Sequence, residues 1–339
     1  MTASNPRVLV AGGAGYIGSH MTRVLLAAGC SVVVFDNLST GHREAVPEGA
    51  RFFRGDLLET RDLDEVLSKY PSDAVMHFAA SSLVGESVRD PLKYYENNVV
   101  ACVRLLDRMR RAGPSRLIFS STAAVYGEPE RVPILEGDRT RPLNPYGRTK
   151  LAIEHLLEDV AAAHELSYVS LRYFNACGAH PSGETGERHE PETHLIPNLL
   201  KAAGSGEPFT MFGDDYDTPD GTCVRDYVHV MDLARAHLAA LRSLEKGRRA
   251  EVFNLGNGTG YSVRQILAAA ERVTGRRIQV RTGPRRPGDP ARLVACAEKA
   301  QRTLGWKATA GLDEILRDAW NWERSLEARA PRETLGVTP

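Results

Sequence analysis

Residues 7–18 read Arg-Val-Leu-Val-Ala-Gly-Gly-Ala-Gly-Tyr-Ile-Gly, a β-branched run followed by three evenly spaced glycines. The run predicts a buried strand, and the apolar residues that continue to Ala28 predict a helix. Gly12 permits the tight turn between the two, Gly15 lets the backbone approach a pyrophosphate, and Gly18 lets the helix pack closely on the strand. The positive end of such a helix faces the phosphates. This stretch therefore predicts a dinucleotide-binding site.

A second candidate strand, Val32–Phe35, ends in the acidic residue Asp36. An acid about 20 residues beyond the glycines is placed to hold a ribose 2′-hydroxyl, and its charge repels a 2′-phosphate. The spacing therefore favours NAD over NADP as the cofactor.

The composition is that of an ordinary globular protein, with 42% apolar and 25% charged residues and a formal net charge of zero. A neutral chain gives no reason to expect a nucleic acid or another polyanion as partner. Because its 339 residues exceed one average domain, we expect one large or two fused domains.

Five cysteines are scattered along the chain and never form a Cys-x-x-Cys pair; they are Cys30, Cys102, Cys177, Cys223 and Cys296. This pattern argues against a disulfide framework or a zinc site and is typical of a reducing compartment. The amino-terminal residues lack the features of a signal peptide, and no apolar stretch is long enough for a membrane span. The sequence therefore predicts a cytoplasmic protein with no membrane contact.

Strand-like and helix-like runs alternate through the first half, which predicts a doubly wound parallel sheet covered by helices on both faces. The further candidate strands are Arg51–Arg54, Ala74–Phe78, Arg116–Ser121 and Tyr168–Arg172, and the helical patterns between them lie at Asp62–Lys69, Val99–Ala112 and Tyr146–Ala163. A long loop then runs from Ala176 to Thr193, and helices are predicted at Leu195–Ala203, Asp232–Leu244, Val263–Val273 and Leu312–Ala328. We expect an α/β cofactor-binding domain over residues 1–175 and a smaller α/β domain over 176–339, with a frayed tail from about residue 330.

Ligands of such sheets bind beyond the carboxyl ends of the strands. The residues at these ends are therefore candidate site residues: Asp56, Phe78, Ala79, Ala80, Ser120, Tyr173 and Asn175. His77 also ends a strand but is expected to pack in the core, and no metal is predicted.

Tyr146 and Lys150 lie four residues apart where a helix is predicted to begin, so their side chains share one face. A fixed ammonium beside a phenol, together with the charge of an oxidised nicotinamide, is expected to lower the pKa of the phenol from near 10. Tyr146 would then accept the proton of a hydroxyl while hydride leaves the same carbon. Thr122, at the end of the fifth strand, is placed to hydrogen-bond the reacting oxygen. The sequence thus predicts Thr122, Tyr146 and Lys150 as catalytic residues.

Longer motifs extend this pattern over nearly the whole chain, from Val8 to about Trp322. They are Gly-Gly-Ala-Gly-Tyr-Ile-Gly-Ser-His at 12–20, Val-Gly-Glu-Ser-Val at 84–88, Tyr-Tyr-Glu-Asn-Asn-Val at 94–99, Leu-Arg-Tyr-Phe-Asn at 171–175, Gly-Ala-His-Pro-Ser-Gly at 178–183, Asp-Gly-Thr-Cys-Val-Arg-Asp-Tyr-Val-His-Val at 220–230 and Asn-Leu-Gly at 254–256. With these motifs the chain resembles the extended short-chain dehydrogenase/reductase family and, within it, the UDP-sugar 4-epimerases.

The resemblance implies roles for individual residues. The catalytic Ser/Thr, the base, and the lysine that tunes the base and holds the nicotinamide ribose correspond to Thr122, Tyr146 and Lys150. Cofactor contacts are implied for Tyr16, Ile17, Asp36, Asn37, Asp56, Leu57, Phe78 and Asn97, and UDP-sugar contacts for Asn175, Leu195, Arg225, Arg286 and Asp289. The two arginines suit a diphosphate, because a guanidinium grips phosphate oxygens in pairs.

The implied activity is inversion at carbon 4 of a UDP-hexose, with UDP-glucose and UDP-galactose as the main pair. Carbon 4 is oxidised transiently by tightly bound NAD, and the 4-keto intermediate is reduced from the opposite face. Ala123 and Ala124 follow Thr122, whereas related dehydratases place an Asp-Glu pair there, so loss of water is disfavoured. UDP-N-acetylglucosamine, UDP-glucuronate and UDP-pentoses stay open as substrates, and a non-catalytic NAD-sensing regulator is a remote alternative.

Two positions depart from the family pattern. Ser82 stands where some members have a lysine near the cofactor phosphates, which is expected to loosen NAD. Leu293 stands where a tyrosine or a small residue gates the 2-substituent of the sugar, which leaves N-acetylated sugars open. The resemblance also implies a homodimer formed through helices near Pro91–Arg111 and Tyr146–His164.

Overall fold

Fourteen strands form one large and three small sheets in the computed structural model, which describes residues 6–247, 250–286 and 289–329. The strands are β1 (Arg7–Ala11), β2 (Ser31–Asp36), β3 (Arg51–Arg54), β4 (Ala74–His77), β5 (Arg116–Thr122), β6 (Ser167–Tyr173), β7 (Asn175–Cys177), β8 (Phe209–Phe212), β9 (Val224–Arg225), β10 (Tyr227–His229), β11 (Ala250–Leu255), β12 (Tyr261–Ser262), β13 (Val280–Gly283) and β14 (Arg292–Leu293). The large sheet has seven strands, all parallel, in the order β11-β6-β5-β4-β1-β2-β3. The chain reverses its direction of travel across the sheet at β1, where the sequence predicts the dinucleotide site.

Eleven α-helices accompany these strands within the described residues. They are α1 (Tyr16–Ala27), α2 (Thr60–Lys69), α3 (Val84–Arg89), α4 (Pro91–Tyr94), α5 (Ala101–Ala112), α6 (Pro145–Ala163), α7 (Leu195–Ser205), α8 (Val230–Glu245), α9 (Val263–Thr274), α10 (Glu298–Leu304) and α11 (Leu312–Arg329). None of them combines the length and the apolarity needed to cross a membrane.

The predicted helix at Val99–Ala112 begins earlier than expected. A π-helical segment, Tyr95–Val100, joins α4 directly to α5, so helical backbone runs on from Pro91. Proline suits the first helical position, and the preceding Asp90 caps the helix by accepting a bond from the Lys93 N–H at 3.3 Å.

Both faces of the large sheet are buried, and the alternation of side chains along β1 shows how. Val8 and Val10 pack into one core cluster with residues of α1 and α8. Leu9 and Ala11 point to the opposite face and pack with residues of α2, α5 and α6. The predicted doubly wound parallel sheet is therefore confirmed.

The chain leaves the large sheet after β6 and later returns to it. Helix α8 packs on α1, and β11 then pairs with β6 as a parallel edge strand. The division into domains at residues 1–175 and 176–339 stays a prediction, and it takes no account of this return. The predicted frayed tail from about residue 330 lies outside the described residues.

A smaller layer lies beside the carboxyl ends of the large sheet's strands. It contains the sheets β10-β7, β12-β9-β14 and β13-β8, and its core is formed by apolar side chains of α7, α9 and α11. Strand β7 follows β6 after one residue, so the two layers meet beside the end of β6.

Candidate active site

The glycine turn after β1 leaves no room for side chains on its inner side. Gly12 has a φ of +80°, and a Cβ built on it would lie 2.5 Å from the Ala79 nitrogen. A Cβ on Gly18 would lie 2.2 Å from the Gly12 oxygen, so the helix can approach the strand only with glycine there. Gly15 sits at the start of α1 without a capping side chain. The free N–H groups of this helix end fit a dinucleotide pyrophosphate, as the sequence predicts.

Asp36 ends β2 beside this turn and is fixed by the backbone. One carboxylate oxygen accepts a bond from the Ala14 N–H at 2.9 Å, and the other accepts from the Leu38 N–H at 2.8 Å. Burial raises the pKa of Asp36, while these two bonds lower it. Leu38 holds a φ of +62°, a left-handed conformation that is unusual for leucine and that keeps its N–H directed at Asp36. The carboxylate is therefore held where a ribose hydroxyl is expected.

A second polar pair lies at the end of β3. The Asn37 amide donates to Asp56 at 2.9 Å, and the other oxygen of Asp56 accepts from the Leu58 N–H at 2.8 Å. Leu57, the third predicted cofactor contact in this segment, is buried. Asn37 and Asp56 therefore connect the ends of β2 and β3.

The end of β4 contacts the π-helical segment. Asn97 donates to the Ser81 hydroxyl at 3.1 Å, and Asn98 bonds both the N–H and the carbonyl of Ser81 at 2.8 and 3.0 Å. Asn98 also donates to the Thr149 hydroxyl on α6, at 3.1 Å. The wider π-turn suits this arrangement, since π-bulges frequently occur at functional sites. Sequence reasoning named Asn97 and missed the fully buried Asn98, although both lie in the quoted motif.

Phe78 and Tyr173 both lie close to a buried histidine that the sequence analysis missed. The ring of His237, from α8, lies 4.8 Å from the Phe78 ring and 6.2 Å from the Tyr173 ring. Its Nε2 is 3.5 Å from the Ser120 hydroxyl. Burial lowers the pKa of His237 to about 4, so the ring is neutral at pH 7. No local signal connects His237 to Phe78, Ser120 or Tyr173, which all lie far from it in the sequence.

Thr122, Tyr146 and Lys150 converge at the end of β5. Pro145 and Tyr146 begin α6, and Asn144 caps it by accepting from the Gly147 N–H at 2.9 Å. The Thr122 side chain lies close enough to the Tyr146 phenol to lower the pKa of that phenol, although burial raises it more. Lys150, one turn later, is buried and donates to the Ser120 carbonyl at 2.8 Å. The structure therefore brings the predicted catalytic residues together.

The electrostatics of this group differ from the expectation. Burial raises the pKa of Tyr146, and the hydrogen bond with Thr122 acts in the opposite direction. Burial also lowers the pKa of Lys150 to about 8. Among the protein's own groups, desolvation thus outweighs the contacts that favour the phenolate. The predicted lowering of the phenol's pKa also relied on the charge of an oxidised nicotinamide, and it stays a prediction.

A buried ion pair joins β6 to α6 next to the ends of the strands. Arg172 of β6 pairs with Glu154 of α6 at 2.5 Å, and Glu154 also accepts from the Ser121 hydroxyl at 2.5 Å. Arg172 donates to the Tyr126 phenol at 2.9 Å, and that phenol donates to Asn254 of β11 at 2.7 Å. An arginine within an apolar strand was the sequence signal for this network, and sequence reasoning did not use it.

The predicted UDP-sugar residues lie in the smaller layer. Arg225 is buried and pairs with Asp289. The Asn175 amide donates to the Asp226 carbonyl, next to Arg225, at 2.9 Å. Arg286 is exposed and lies over the Phe212 ring, 4.3 Å from its centre, and the Asp289 N–H donates to the Arg286 carbonyl at 3.2 Å. The structure therefore groups Asn175, Arg225, Arg286 and Asp289.

The structure also locates three further residues that the sequence analysis discussed. Leu195 is the first residue of α7 and packs against the core of the smaller layer. Leu293 pairs with Arg225 in the β14-β9 register and packs against the cluster that contains Ala123 and Phe174. His77 is buried against the Phe119 ring, with 5.8 Å between ring centres, as predicted.

Comparisons with known proteins agree with this geometry. Residues 8–256 match the model of the NAD dependent epimerase/dehydratase family, and the chain belongs to that family. The UDP-glucose 4-epimerase of Lacticaseibacillus casei is 51% identical over 320 residues, which cover 94% of this chain and 97% of that protein. The predicted family membership is confirmed, and NAD as the cofactor agrees with the family's dependence on NAD.

Solved structures give the same result. The UDP-glucose 4-epimerase of Brucella ovis in complex with NAD is 51% identical, with a TM-score of 0.90 over 93% of this chain and 97% of that one. The UDP-glucose-4-epimerase of Stenotrophomonas maltophila, with bound NAD and formylated UDP-arabinopyranose, is 41% identical, with a TM-score of 0.93 over 96% of this chain and 100% of that one.

Proposed function

We propose that this protein interconverts UDP-glucose and UDP-galactose by inverting the hydroxyl at carbon 4 of the hexose. The observation that carries the proposal is the convergence of Thr122, Tyr146 and Lys150 at the end of β5, two strands away from β1 and its glycine turn in the large sheet. It is supported by about 50% identity to UDP-glucose 4-epimerases over nearly the full length of both chains.

The chain's own residues position the sugar and move its proton. The Tyr146 phenol accepts the proton of the 4-hydroxyl and later returns it, and the Thr122 hydroxyl holds the same oxygen. The Lys150 ammonium is fixed by the Ser120 carbonyl one helical turn after Tyr146, and we assign it to the nicotinamide ribose and to support of the base. The chemistry that bound NAD supplies is the reversible oxidation at carbon 4.

The substrate's diphosphate is assigned to Arg225 and Arg286. Asp289 pairs with Arg225 and so holds its guanidinium in one orientation before the diphosphate arrives. Leu293 lies between this arginine and the residues that follow Thr122, so its side chain is placed to limit the size of the sugar's 2-substituent.

The direct test is incubation of UDP-galactose with the purified protein and no added NAD. We expect UDP-glucose to form, measured by NMR of the anomeric protons, because the cofactor ends each cycle unchanged. A panel with UDP-N-acetylglucosamine, UDP-glucuronate and UDP-xylose then defines the sugar range. Absence of turnover with NAD present, or formation of a dehydrated sugar, would contradict the proposal.

Asp36 gives a prediction about cofactor choice. We expect Asp36→Asn to lower the affinity for NAD by about 10–100-fold, since a hydrogen bond to a charged group contributes about 1.5–3 kcal/mol. Discrimination against NADP is expected to shrink, because the charge that repels a 2′-phosphate is lost. Nucleotide bound after gel filtration is measured by acid extraction and chromatography. The control is Asp64→Asn, an exposed carboxylate of α2 paired with Arg108; an unchanged NAD-to-NADP preference in Asp36→Asn would refute the assignment.

We also propose that the protein is a homodimer. Large apolar side chains are exposed along the helices from Val84 to Ala112; Leu92 is 79% exposed and Val88 is 63% exposed. Such a row on one surface is typical of an interface with another protein. Helix α6, the second helix implied by the family resemblance, lies beside α4.

The dimer proposal predicts the effect of charge on this surface. Val88→Glu with Leu92→Glu is expected to give a particle of one 37.2 kDa chain where the unmodified protein gives twice that mass, measured by light scattering. Leu135→Glu, which changes an exposed leucine elsewhere, serves as control. Equal masses for all three proteins would contradict the proposed interface.

The free cysteines support a cytoplasmic location. All five lie within the described residues and none is in a disulfide, and four of them are buried. Unpaired cysteines are typical of proteins from a reducing compartment, and on this basis we propose the cytoplasm.

A further inference from the structure

Two glutamates and two histidines meet in the loop that precedes α7. They are Glu187, His189, Glu192 and His194, and one possible ligand atom from each lies within 4.8 Å of the other three. The sequence analysis predicted no metal and interpreted most of this stretch as a long loop, although the spacing Glu-x-His-x-x-Glu-x-His places four possible ligand residues within eight positions.

The separations between the donor atoms fit one small cation. His189 Nδ1 lies 3.2 Å from a Glu187 oxygen and 3.6 Å from Glu192 Oε2. His194 Nδ1 lies 2.8 Å from the same Glu187 oxygen and 2.9 Å from Glu192 Oε1. Zinc bonds to nitrogen and oxygen are about 2.0–2.2 Å long, so neighbouring ligands of a tetrahedral ion are about 3.3–3.5 Å apart. The four observed separations range from 2.8 to 3.6 Å and so lie on both sides of that distance.

Two of these atoms are buried and unsatisfied. Within the described part of the chain, His189 Nδ1 and Glu192 Oε2 make no hydrogen bond. The side chains of Glu187 and Glu192 are only 6% and 4% exposed. The other oxygen of Glu192 accepts from the N–H groups of Thr193 and His194, both at 2.8 Å, so the backbone orients the carboxylate. Buried polar atoms are nearly always paired, and these two lie 3.6 Å apart within the cluster.

The cluster also holds buried negative charge. The carboxylates of Glu187 and Glu192 each lie within ion-pair distance of both histidine rings. Buried carboxylates need a positive partner, and one divalent ion held by two neutral imidazoles supplies it.

We propose that Glu187, His189, Glu192 and His194 bind one divalent transition metal ion, with zinc as the best match. Two imidazole nitrogens and two carboxylate oxygens are a donor set that zinc accepts in tetrahedral geometry. Because all four positions come from protein, the ion has a structural role and leaves no open position for substrate.

The neighbours of the cluster show what the ion would stabilise. The Tyr16 ring, at the start of α1, packs edge-on against the His189 ring with 6.5 Å between ring centres. The Trp322 indole of α11 donates to the Glu187 carbonyl at 2.8 Å. His194 directly precedes Leu195, the first residue of α7. A metal here would therefore fix the start of α7 relative to the glycine turn of the large sheet.

The experiment measures metal directly and does not depend on activity. The full-length protein is equilibrated with zinc chloride, desalted and analysed by plasma mass spectrometry, and its melting temperature is recorded with zinc and with a chelator. We expect about one zinc per chain, and a melting temperature that falls when the chelator is added.

The ligand variant is His189→Gln with Glu192→Gln, which keeps side-chain size. Loss of a residue that only supports a metal ligand lowers metal affinity by about 10–100-fold, so loss of two ligands is expected to lower the zinc affinity by more than that. The melting temperature of this variant should no longer respond to the chelator. The matched control, His155→Gln with Glu184→Gln, changes two exposed residues and should behave like the unmodified protein. An unmodified protein that takes up no zinc and shows no response to the chelator would overturn the proposal and leave an ion-paired cluster of two imidazoliums and two carboxylates. Equal zinc in the ligand variant would also overturn it.

Discussion

Replacing Tyr146 by phenylalanine is expected to lower kcat for UDP-galactose by about 10²–10⁴-fold, the usual contribution of general acid–base catalysis. The change removes one oxygen and leaves the ring that packs at the start of α6. Bound NAD is expected to stay at the level of the unmodified protein, because the glycine turn and Asp36 are untouched. Initial rates and extracted nucleotide, measured on the same preparation, check both parts.

The control for this variant is Tyr70→Phe, which removes a phenol oxygen at the end of α2, away from the glycine turn. It should retain full activity. If Tyr146→Phe retained full activity as well, Tyr146 would not be the group that accepts the sugar's proton. If it lost NAD along with activity, its role would be in holding the cofactor.

Arg172→Met is expected to lower the free energy of unfolding by about 3–5 kcal/mol, the cost of breaking a buried ion pair from one side. Methionine matches the length of the arginine stem but leaves the Glu154 carboxylate buried without its partner. The Tyr126 phenol also loses a donor at 2.9 Å. Denaturant unfolding, followed by tryptophan fluorescence, measures the loss.

Two further variants separate charge from packing. Arg172→Met with Glu154→Leu removes both charges and is expected to recover much of the lost stability, since an apolar pair of similar volume often replaces a buried ion pair without loss. Arg7→Met breaks a surface pair with Asp73, so it should cost less than about 1 kcal/mol. A loss of that size for Arg172→Met would show that the buried pair contributes little.

The sequence predicted those parts of the structure that depend on the pattern of neighbouring residues. The strand at Arg7–Ala11, the glycines after it and the start of α6 at Pro145 follow from side-chain periodicity and turn chemistry, which act over a few residues. The site residues at the strand ends were predictable because parallel strands all end at one edge of the sheet.

The features that the sequence did not predict depend on contacts between residues that are far apart in the chain. His237 reaches Ser120 only because α8 packs back onto the large sheet. The pKa of Tyr146 depends on burial by the complete fold, which the four-residue spacing to Lys150 does not contain. The spacing of the two glutamates and two histidines at 187–194 is visible in the sequence. That their donor atoms come together depends on the folded conformation of the loop.

The repeated passage of the chain between the two layers has an evolutionary consequence. After β6 the chain enters the smaller layer, returns with α8 and β11, and places α10 in the large layer's core before α11 ends in the small one. The smaller layer, to which we assign the sugar, is therefore not one continuous segment that a single recombination event could exchange between relatives. Divergence of sugar preference in this architecture is expected to proceed by point substitution, at positions such as Leu293, with the scaffold inherited whole.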